Sequence, residues 1–226
     1  MSQASPGLAD AVDWRLYVVT DTALSGGPDR IPYIVEQAAL GGAGVVQVRD
    51  KHLPDADFVA LTRACRDAAR RAEDVTGRPV ALVVNDRLDV AEELGLHFHQ
   101  GQDDGDIRQA RRRLGTDLLI GLSISSLAEL EAELADQTAD VLGLSPLWAT
   151  PTKTDAAPAL GLDGAVRLID ATAGRAKTVA IGGINAATAP DAIATGVDGI
   201  CVVSAIATAP DPRAAAAHLL ALWRTR

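Results

Sequence analysis

The sequence lacks the features that mark membrane, secreted and disulfide-linked proteins. No run of eighteen apolar residues occurs, which argues against a membrane span. The start has neither the basic nor the apolar segment of a secretory signal, and residues 1–13 are predicted to form a flexible tail. Cys65 and Cys201 are the only cysteines, and both have apolar neighbours. Buried free thiols in a cytoplasmic protein are therefore expected.

Positive charge and aromatic residues are also scarce. Lys and Arg total 21 against 30 for Asp and Glu, so the net charge is −9 at pH 7. This balance argues against general nucleic-acid binding, which needs a basic face. It still allows an anionic small substrate, because a few cations inside a cleft can override the overall charge. Aromatic residues make up 3% of the chain, which predicts a core of Ala, Val, Leu and Ile.

The chain does contain a regular alternation of short β-branched runs and longer helical patterns. Strands are predicted at 16–20, 45–49, 80–85, 96–100, 118–124, 141–144, 178–181 and 199–203. Helical patterns lie at 56–72, 107–114, 127–135, 165–173, 187–195 and about 213–223. Strands separated by helices indicate parallel βαβ units. Eight such units in this length predict one single-domain α/β fold, a (β/α)8 TIM barrel over residues 14–226.

An open, doubly wound sheet is the competing fold. It would be favoured by a Gly-x-Gly-x-x-Gly fingerprint after the first strand, but residues 21–28 read DTALSGGP. No shift in composition suggests a second domain.

Polar side chains follow many of the predicted strands. In a parallel barrel the carboxyl ends of the strands meet at one mouth, where active sites lie. These polar residues are Gln47, Arg49, Lys51, Asn85, Asp86, Gln102, Asp103, Asp104, Ser123 and Ser204. Strand ends are generally wetter than strand middles, which explains one or two such groups but hardly all of them. The sequence therefore predicts a polar site at the barrel mouth.

Gln47, Arg49 and Lys51 are spaced by two, so they share one face for as long as the strand persists. They span about 13 Å at about 3.3 Å per residue. One amide and two cations suit recognition of a heteroaromatic ring that carries a phosphate chain. The alternative is an arginine and a lysine that extend from the rim into solvent.

Asp86 and Asp104 end neighbouring strands and would meet at the mouth. Two carboxylates fit Mg²⁺, which completes its shell with water and substrate phosphate. A pair of acid–base carboxylates, as in glycosidases, is the alternative, but the nearby cations favour a phosphate substrate. Asp103 either faces outward or is a spare ligand. His97 and His99 also alternate, yet a closed zinc site needs more ligands than they provide.

Two further segments have features of phosphate binding. Residues 150–155 place hydroxyl groups beside Lys153 in a long loop, which suits a lid over the mouth. Gly182 and Gly183 follow the seventh strand, and Ser204 follows the eighth. Barrels often bind phosphate at these last two loops. Two separate phosphate regions predict two phosphorylated small-molecule substrates.

Seven motifs follow one another along the chain: RLYVVTD (15–21), QVRDK (47–51), ND (85–86), GQDD (101–104), TPTK (150–153), IGGI (181–184) and VVSAI (202–206). In this order they resemble the thiamine-phosphate synthase family over nearly the whole chain. The resemblance implies a Mg²⁺-dependent transferase of thiamine biosynthesis. Such an enzyme joins an aminopyrimidine diphosphate to a thiazole phosphate and releases pyrophosphate. The diphosphate is thought to ionise first, and the thiazole nitrogen then attacks the pyrimidinylmethyl cation.

The resemblance also implies roles for single residues. The aminopyrimidine diphosphate would be bound by Gln47, Arg49, Lys51, Asn85, Ser123 and Lys153. The thiazole phosphate would be bound by Thr150, Thr152, Gly183, Val203 and Ser204. Asp86 and Asp104 would hold Mg²⁺, and Arg49, Ser123 and Lys153 would take part in catalysis.

The chain departs from the family pattern at a few positions. Ser125 stands where a histidine is common, Ser145 where a glycine is usual, and Ala149 where a proline is usual. None of these changes removes a predicted metal ligand or phosphate cation. The alternatives are a thiazole tautomerase of the same barrel family, or a non-catalytic phosphate-binding barrel. A carboxylated thiazole substrate and a homo-oligomer are both compatible with the sequence.

Overall fold

The computed structural model describes residues 7–149 and 158–225. Their strands are Leu16–Val19 (β1), Val45–Val48 (β2), Ala81–Asn85 (β3), His97–Gln100 (β4), Ile120–Ile124 (β5), Val141–Leu144 (β6), Lys177–Ile181 (β7) and Gly199–Val202 (β8). Each strand pairs in parallel with the next, and β8 pairs with β1. The sheet therefore closes on itself, and the predicted (β/α)8 barrel is confirmed.

Helices connect the strands on the outside of the barrel. They are Thr22–Ser25 (α1), Ile31–Leu40 (α2), Asp55–Thr76 (α3), Leu88–Leu94 (α4), Ile107–Leu114 (α5), Leu127–Asp136 (α6), Gly161–Thr172 (α7), Ala189–Ala194 (α8), Ser204–Ala207 (α9) and Pro212–Ala221 (α10). The sequence predicted α3, α5, α6, α7, α8 and α10 but not the others. Three of the missed helices are seven residues or shorter, which is too short for a helical period to stand out. Across the described ranges, no helix has the length and apolarity that crossing a membrane would require.

The core has two layers, one on each side of the sheet. Outward side chains such as Leu16, Val46 and Ile200 pack against the helices, while inward side chains such as Tyr17 and Val83 fill the barrel. Strands covered on both faces are mostly apolar, as most of the predicted runs were. The two cysteines are buried free thiols, as expected.

The amino-terminal end of the barrel is closed by part of the segment predicted to be a flexible tail. Leu8–Ala11 forms a 3-10 helix below the strands. The Trp14 Nε1–H group donates to the carbonyl oxygen of Ala9 at 2.7 Å, and Asp10 pairs with Lys177 at 2.8 Å. The ordered fold therefore begins before residue 14, because this segment covers the apolar floor. Residues 1–6 lie outside the described residues.

Candidate active site

The side chains at the carboxyl ends of β2, β3 and β5 line the barrel mouth from the inside. Gln47 comes two residues after Val45, which belongs to the inner core layer. It is buried, as is Asn85 at the end of β3, whereas Ser123 on β5 is half-buried. Because strand residues two apart point the same way, these predicted site residues face one shared space.

Asp86 and Asp104 lie close together at one edge of this mouth. Burial raises the pKa of Asp86 above its ordinary value of 3.8, and the negative charge of Asp104 raises it further. Lys51 opposes that shift, with its Nζ 3.6 Å from the Asp86 Oδ2. Asp104 is fixed in turn, because its Oδ2 accepts a hydrogen bond from the Gly101 N–H at 3.0 Å. The pair carries more negative charge than its single lysine neutralises.

This donor set fits a magnesium ion. Mg²⁺ binds through one or two carboxylates and keeps its other positions for water and phosphate oxygens. A divalent cation would also remove the repulsion that raises the pKa of Asp86. Over residues 7–149 and 158–225, no three His, Cys, Asp or Glu side chains are grouped to hold a metal. A site of two carboxylates is thus the arrangement available here.

The backbone at Asp86 is in the left-handed region, with φ at 59°. This conformation is uncommon for residues other than glycine, and Asp and Asn tolerate it best. It is held by the Asp86 N–H, which donates to the carbonyl oxygen of His99 at 2.9 Å. The turn directs the carboxylate toward Lys51 and Asp104.

Arg49 and Lys51 reach the mouth from different positions than the sequence predicted. Strand β2 ends at Val48, one residue earlier than expected, so the shared face does not continue to Lys51. The chain turns there because the Asp50 Oδ1 accepts hydrogen bonds from the N–H groups of His52 and Leu53, both at 2.7 Å. Lys51 therefore approaches Asp86 from a loop rather than from a strand.

Arg49 is held beside the first strand. Its Nη1 lies 3.6 Å from the Asp21 Oδ2, and its backbone N–H donates to the Thr20 hydroxyl at 3.0 Å. Asp21 also caps α1 by accepting the Leu24 N–H at 2.9 Å. The arginine is thus a partly buried cation with one carboxylate neighbour, available to a second anion.

Gln47 has a fixed orientation inside the barrel. Its amide Nε2–H donates to the Tyr17 hydroxyl oxygen at 2.7 Å. Burial raises the pKa of Tyr17 far above its ordinary value, so the phenol stays neutral. This buried neutral pair orients the amide without placing charge beside it.

A hydrogen bond between His99 and Ser123 also crosses the interior. The His99 Nε2 is 3.1 Å from the Ser123 Oγ. Room for the imidazole comes from Gly121 and Gly143 on the two following strands, and a Cβ on Gly121 would lie only 2.3 Å from the His99 Nδ1. In addition, the Gln102 amide donates to the Ser123 carbonyl oxygen at 2.7 Å. The serine is thus positioned by two neighbours on the β4 side.

Ser125, which replaces the common histidine, is bound to helix α6. Its N–H and its hydroxyl donate to the carboxylate of Glu129 at 2.6 and 2.8 Å. The Ser126 hydroxyl caps the same helix by accepting the Glu129 N–H at 3.2 Å. The side chain at position 125 therefore anchors α6 to the end of β5.

The predicted phosphate-binding residues after β7 and β8 would offer backbone groups and a hydroxyl to the mouth rather than charged side chains. Gly182 and Gly183 both have positive φ, at 109° and 70°. Side chains there would press on Pro146 and Trp148, at 2.8 Å and 3.0 Å from the added Cβ atoms. The two glycines thus let this loop pack against the β6 loop. Val203 is half-buried, and the exposed Ser204 begins α9. Their assignment to the thiazole phosphate stays a prediction.

Comparison with known proteins shows which family this chain belongs to. A family model described as thiamine monophosphate synthase matches residues 16–206. The chain is 46% identical over 216 residues to a thiamine-phosphate synthase of Chloroflexus aurantiacus, with 95% of each chain covered. A solved structure, the thiamine phosphate pyrophosphorylase of Pyrococcus furiosus, superposes with a TM-score of 0.82 at 30% identity, covering 95% of this chain and 98% of that one.

The chain belongs to the thiamine monophosphate synthase family. It is also 46% identical to a thiamine biosynthesis multifunctional protein of Corynebacterium efficiens, of which it spans 29%. The predicted resemblance to thiamine-phosphate synthase is confirmed, as is the prediction of an enzyme of the transferase class.

Three residues that the family resemblance implicates lie outside the described residues. They are Thr150, Thr152 and Lys153. Their assignment to the substrates stays a prediction from the sequence motif alone.

Several residues at the mouth of this thiamine monophosphate synthase family member were not assigned from the sequence. His99 was considered only as a zinc ligand, Asp21 appeared only as the end of a motif, and Tyr17 was not considered. The alternation of His99 with Phe98 and Gln100 does signal an inward side chain, and Asp21 directly follows a strand. Their partners could not be found from the sequence, because each partner lies on another strand or directly after one.

Proposed function

We propose that this chain joins an aminopyrimidine diphosphate to a thiazole phosphate, giving thiamine phosphate and pyrophosphate. The observation that carries the proposal is the adjacent carboxylate pair, Asp86 and Asp104, with Lys51 beside it at the mouth of a barrel of this family. Arg49 adds a second cation, held by Asp21 directly after β2. Carboxylates for a divalent cation together with lysine and arginine side chains are the set that a diphosphate needs.

In this proposal, Arg49, Lys51 and Lys153 bind the diphosphate oxygens, while Gln47, Asn85 and Ser123 contact the pyrimidine from the barrel interior. The burial of Gln47 and Asn85 supports a role in ring recognition, because a buried amide can discriminate hydrogen-bonding partners strongly. Asp86 and Asp104 would hold Mg²⁺. When bound, the ion would supply charge neutralisation worth several kcal/mol at the departing pyrophosphate.

The reaction then needs little proton chemistry from the protein. The bond between the pyrimidine methylene carbon and the diphosphate oxygen breaks, and its electron pair leaves with pyrophosphate. A new bond forms from the lone pair of the thiazole nitrogen to the same carbon. No proton is removed from the nitrogen, which agrees with a mouth built from cations, amides and a hydroxyl. Positioning and electrostatic stabilisation are the contributions of the chain.

The thiazole phosphate would lie across the mouth from the carboxylates. Gly183, Val203 and Ser204 would offer backbone and hydroxyl donors, and Thr150 and Thr152, which follow β6 in the sequence, would contribute as well. Support comes from the positive φ at Gly183 and the accessible Ser204. In barrels, the last two strand loops are a frequent phosphate site. Two anions at opposite edges of one mouth would orient the two reacting rings toward each other.

We place the protein in the cytoplasm, because free thiols suit a reducing compartment.

The test is product formation from the two substrates, followed with Mg²⁺ and with EDTA. We expect thiamine phosphate and pyrophosphate in equal amounts, dependent on Mg²⁺. Asp104→Asn should lower kcat/KM by about 100-fold or more, since several kcal/mol of stabilisation are at stake. Asp67→Asn, which changes an exposed acid on α3, is the matched control and should leave the activity unchanged.

Folded protein that binds the phosphates without turnover would instead indicate a binding-only barrel. Isomerisation of the thiazole phosphate alone would indicate the tautomerase.

A further inference from the structure

The side chain of Arg87 connects two loops of the mouth. Arg87 directly follows Asp86, and its guanidinium lies across the loop that joins β2 to α3. Its Nη2 donates to the carbonyl oxygens of Asp50 and Leu53 at 3.1 and 2.6 Å. Among residues 7–149 and 158–225, no other arginine side chain donates a hydrogen bond to this loop, so Arg87 is the candidate for holding it.

Two further contacts fix the guanidinium. Its Nη1 donates to the Asp55 Oδ1 at 2.5 Å, and its central carbon lies 4.4 Å from the centre of the Phe58 ring. The side chain is only 17% exposed, whereas that of Asp55 is 88% exposed. Water screens the pair with Asp55, so the two carbonyl bonds and the ring contact dominate its attachment.

The two carbonyl groups bracket the loop that carries Lys51. Asp50 precedes the lysine and Leu53 follows it by two residues. The other end of the connection is the backbone next to Asp86, the partner of Lys51 at 3.6 Å. One side chain therefore bridges the loop of a proposed diphosphate cation and the backbone next to a proposed metal carboxylate.

We propose that Arg87 is a positioning residue for the diphosphate end of the site. It holds the Lys51 loop at the distance from Asp86 at which the cation and the carboxylate can engage one magnesium-bound diphosphate. This inference rests on the proposed function. It adds a residue that contacts neither carboxylate of the metal pair and that acts through Lys51 and Asp86.

The geometry requires an arginine. A planar guanidinium can donate to two carbonyl groups and a carboxylate while its face lies on an aromatic ring. A lysine keeps the charge but has one nitrogen, which cannot reproduce this fork. Arg87→Lys therefore tests the position of the loop without removing the charge.

The matched control is Arg71→Lys on the same helix that contains Asp55. Arg71 donates through Nε and Nη2 to a single oxygen of Glu36, and within the part of the chain that the structure describes it donates to no loop of the mouth. We expect Arg87→Lys to lower kcat/KM for the diphosphate by about 10- to 100-fold, the usual effect of disturbing a support of metal ligands. Half-saturation with Mg²⁺ should shift to higher concentration. Arg71→Lys should change neither.

A double-mutant cycle with Lys51→Ala separates positioning from general stability. If Arg87 acts through the Lys51 loop, Arg87→Lys should cost clearly less in the Lys51→Ala background than in the wild type, because neighbours in one network are not additive. Equal costs in both backgrounds, with a lowered melting temperature, would overturn the proposal and leave Arg87 a structural contact.

Binding of inorganic pyrophosphate with Mg²⁺, measured by calorimetry, gives a readout independent of turnover. We expect weaker binding to Arg87→Lys than to the wild type and to Arg71→Lys. Unchanged binding would overturn the positioning role even if activity falls. A wild type that makes no thiamine phosphate yet binds magnesium pyrophosphate in an Arg87-dependent way would contradict the proposed function and leave the positioning role standing.

Discussion

Asp86 combines features that disfavour the fold in the absence of a cation. Its backbone has a left-handed φ of 59°, its carboxylate is partly buried, and Asp104 lies beside it. Burial and that neighbouring charge raise the pKa of Asp86, which means that ionisation is harder in the folded state than in the unfolded chain. Strain and perturbed ionisation of this kind concentrate at functional sites.

Asp86→Asn should therefore separate activity from stability. The amide keeps the shape and tolerates a left-handed backbone, but it removes a charge that is unfavourable beside Asp104. We expect Mg²⁺-dependent turnover to fall about 100-fold or more, because metal assistance is worth several kcal/mol. The melting temperature measured in EDTA should rise. A lower melting temperature together with normal turnover would contradict this account of Asp86.

The pH dependence of that stability gain follows from the raised pKa of Asp86. A carboxyl group whose pKa is higher in the folded state destabilises the fold when ionised. The wild type should thus lose stability, relative to Asp86→Asn, as pH rises from the ordinary value of 3.8 through the raised pKa. The advantage of the variant should be full at neutral pH and absent below about pH 3.8. Thermal melts over this pH range in EDTA measure the difference.

Three adjacent strands cooperate to place Ser123. His99 on β4 occupies space left by Gly121 on β5 and Gly143 on β6, and from there it bonds the serine hydroxyl. The register pairs His99 with Gly121 and Ser123 with Gly143. Because Gly121 and Gly143 have no side chains, the imidazole of His99 fits between them inside the barrel.

Gly121→Ala tests this arrangement of strands. The new Cβ would lie 2.3 Å from the His99 Nδ1, so the imidazole must move and lose its bond to Ser123. We expect a loss of about 1–3 kcal/mol in the free energy of unfolding, typical of overpacking. We also expect about a tenfold or greater fall in kcat/KM, because small displacements of site groups are costly. Denaturant unfolding and steady-state kinetics measure the two effects.

Gly143→Ala is the control on the next strand. Its Cβ would meet the His99 Cε1 at 3.4 Å, an ordinary contact, so the imidazole can stay. The two variants should differ in both measurements. Equal effects of the two variants would show that Gly121→Ala does not act on Ser123 through His99.

At the scale of the whole molecule, the residues of the proposed chemistry lie at one end of the barrel, and residues that serve only its stability lie at the other. The carboxyl ends of the strands carry the charged site, while Trp14 and Leu8–Ala11 close the opposite end. Changes at the floor should therefore alter the stability of the barrel without altering the chemistry at the mouth.

Removal of residues 1–12 should lower stability and leave catalysis intact. The truncation takes the carbonyl acceptor away from the Trp14 Nε1–H and uncovers part of the apolar floor. We expect the free energy of unfolding to fall by about 1–3 kcal/mol, the usual penalty for an unpaired buried donor. The kcat/KM at 25 °C should not change. Asp10→Asn removes the charge that pairs with Lys177 but keeps the bond from Trp14 to Ala9, so it should have little effect on either quantity. A changed kcat/KM in the truncated protein would contradict this division between the two ends of the barrel.

Most of the barrel could be predicted from local patterns. The eight strands fall at the predicted places, with ends that differ by at most two residues, because strands covered on both faces leave short, mostly apolar runs. Helix α5 matches its predicted bounds because Asp106 caps it and Gly115 follows it. The short helices and the floor segment were missed or misjudged, since their structure depends on what they cover rather than on their own periodicity.

By itself, the sequence determined the barrel, the family and the residue types at the strand ends, because chain order and a period of two are local properties. Only the tertiary structure decided the partners: Tyr17 with Gln47, His99 with Ser123, and Arg87 with the Lys51 loop. It also decided that Lys51 reaches Asp86 from a loop after β2 has ended. These contacts join residues that are distant in the chain, and closure of the sheet is what brings them together.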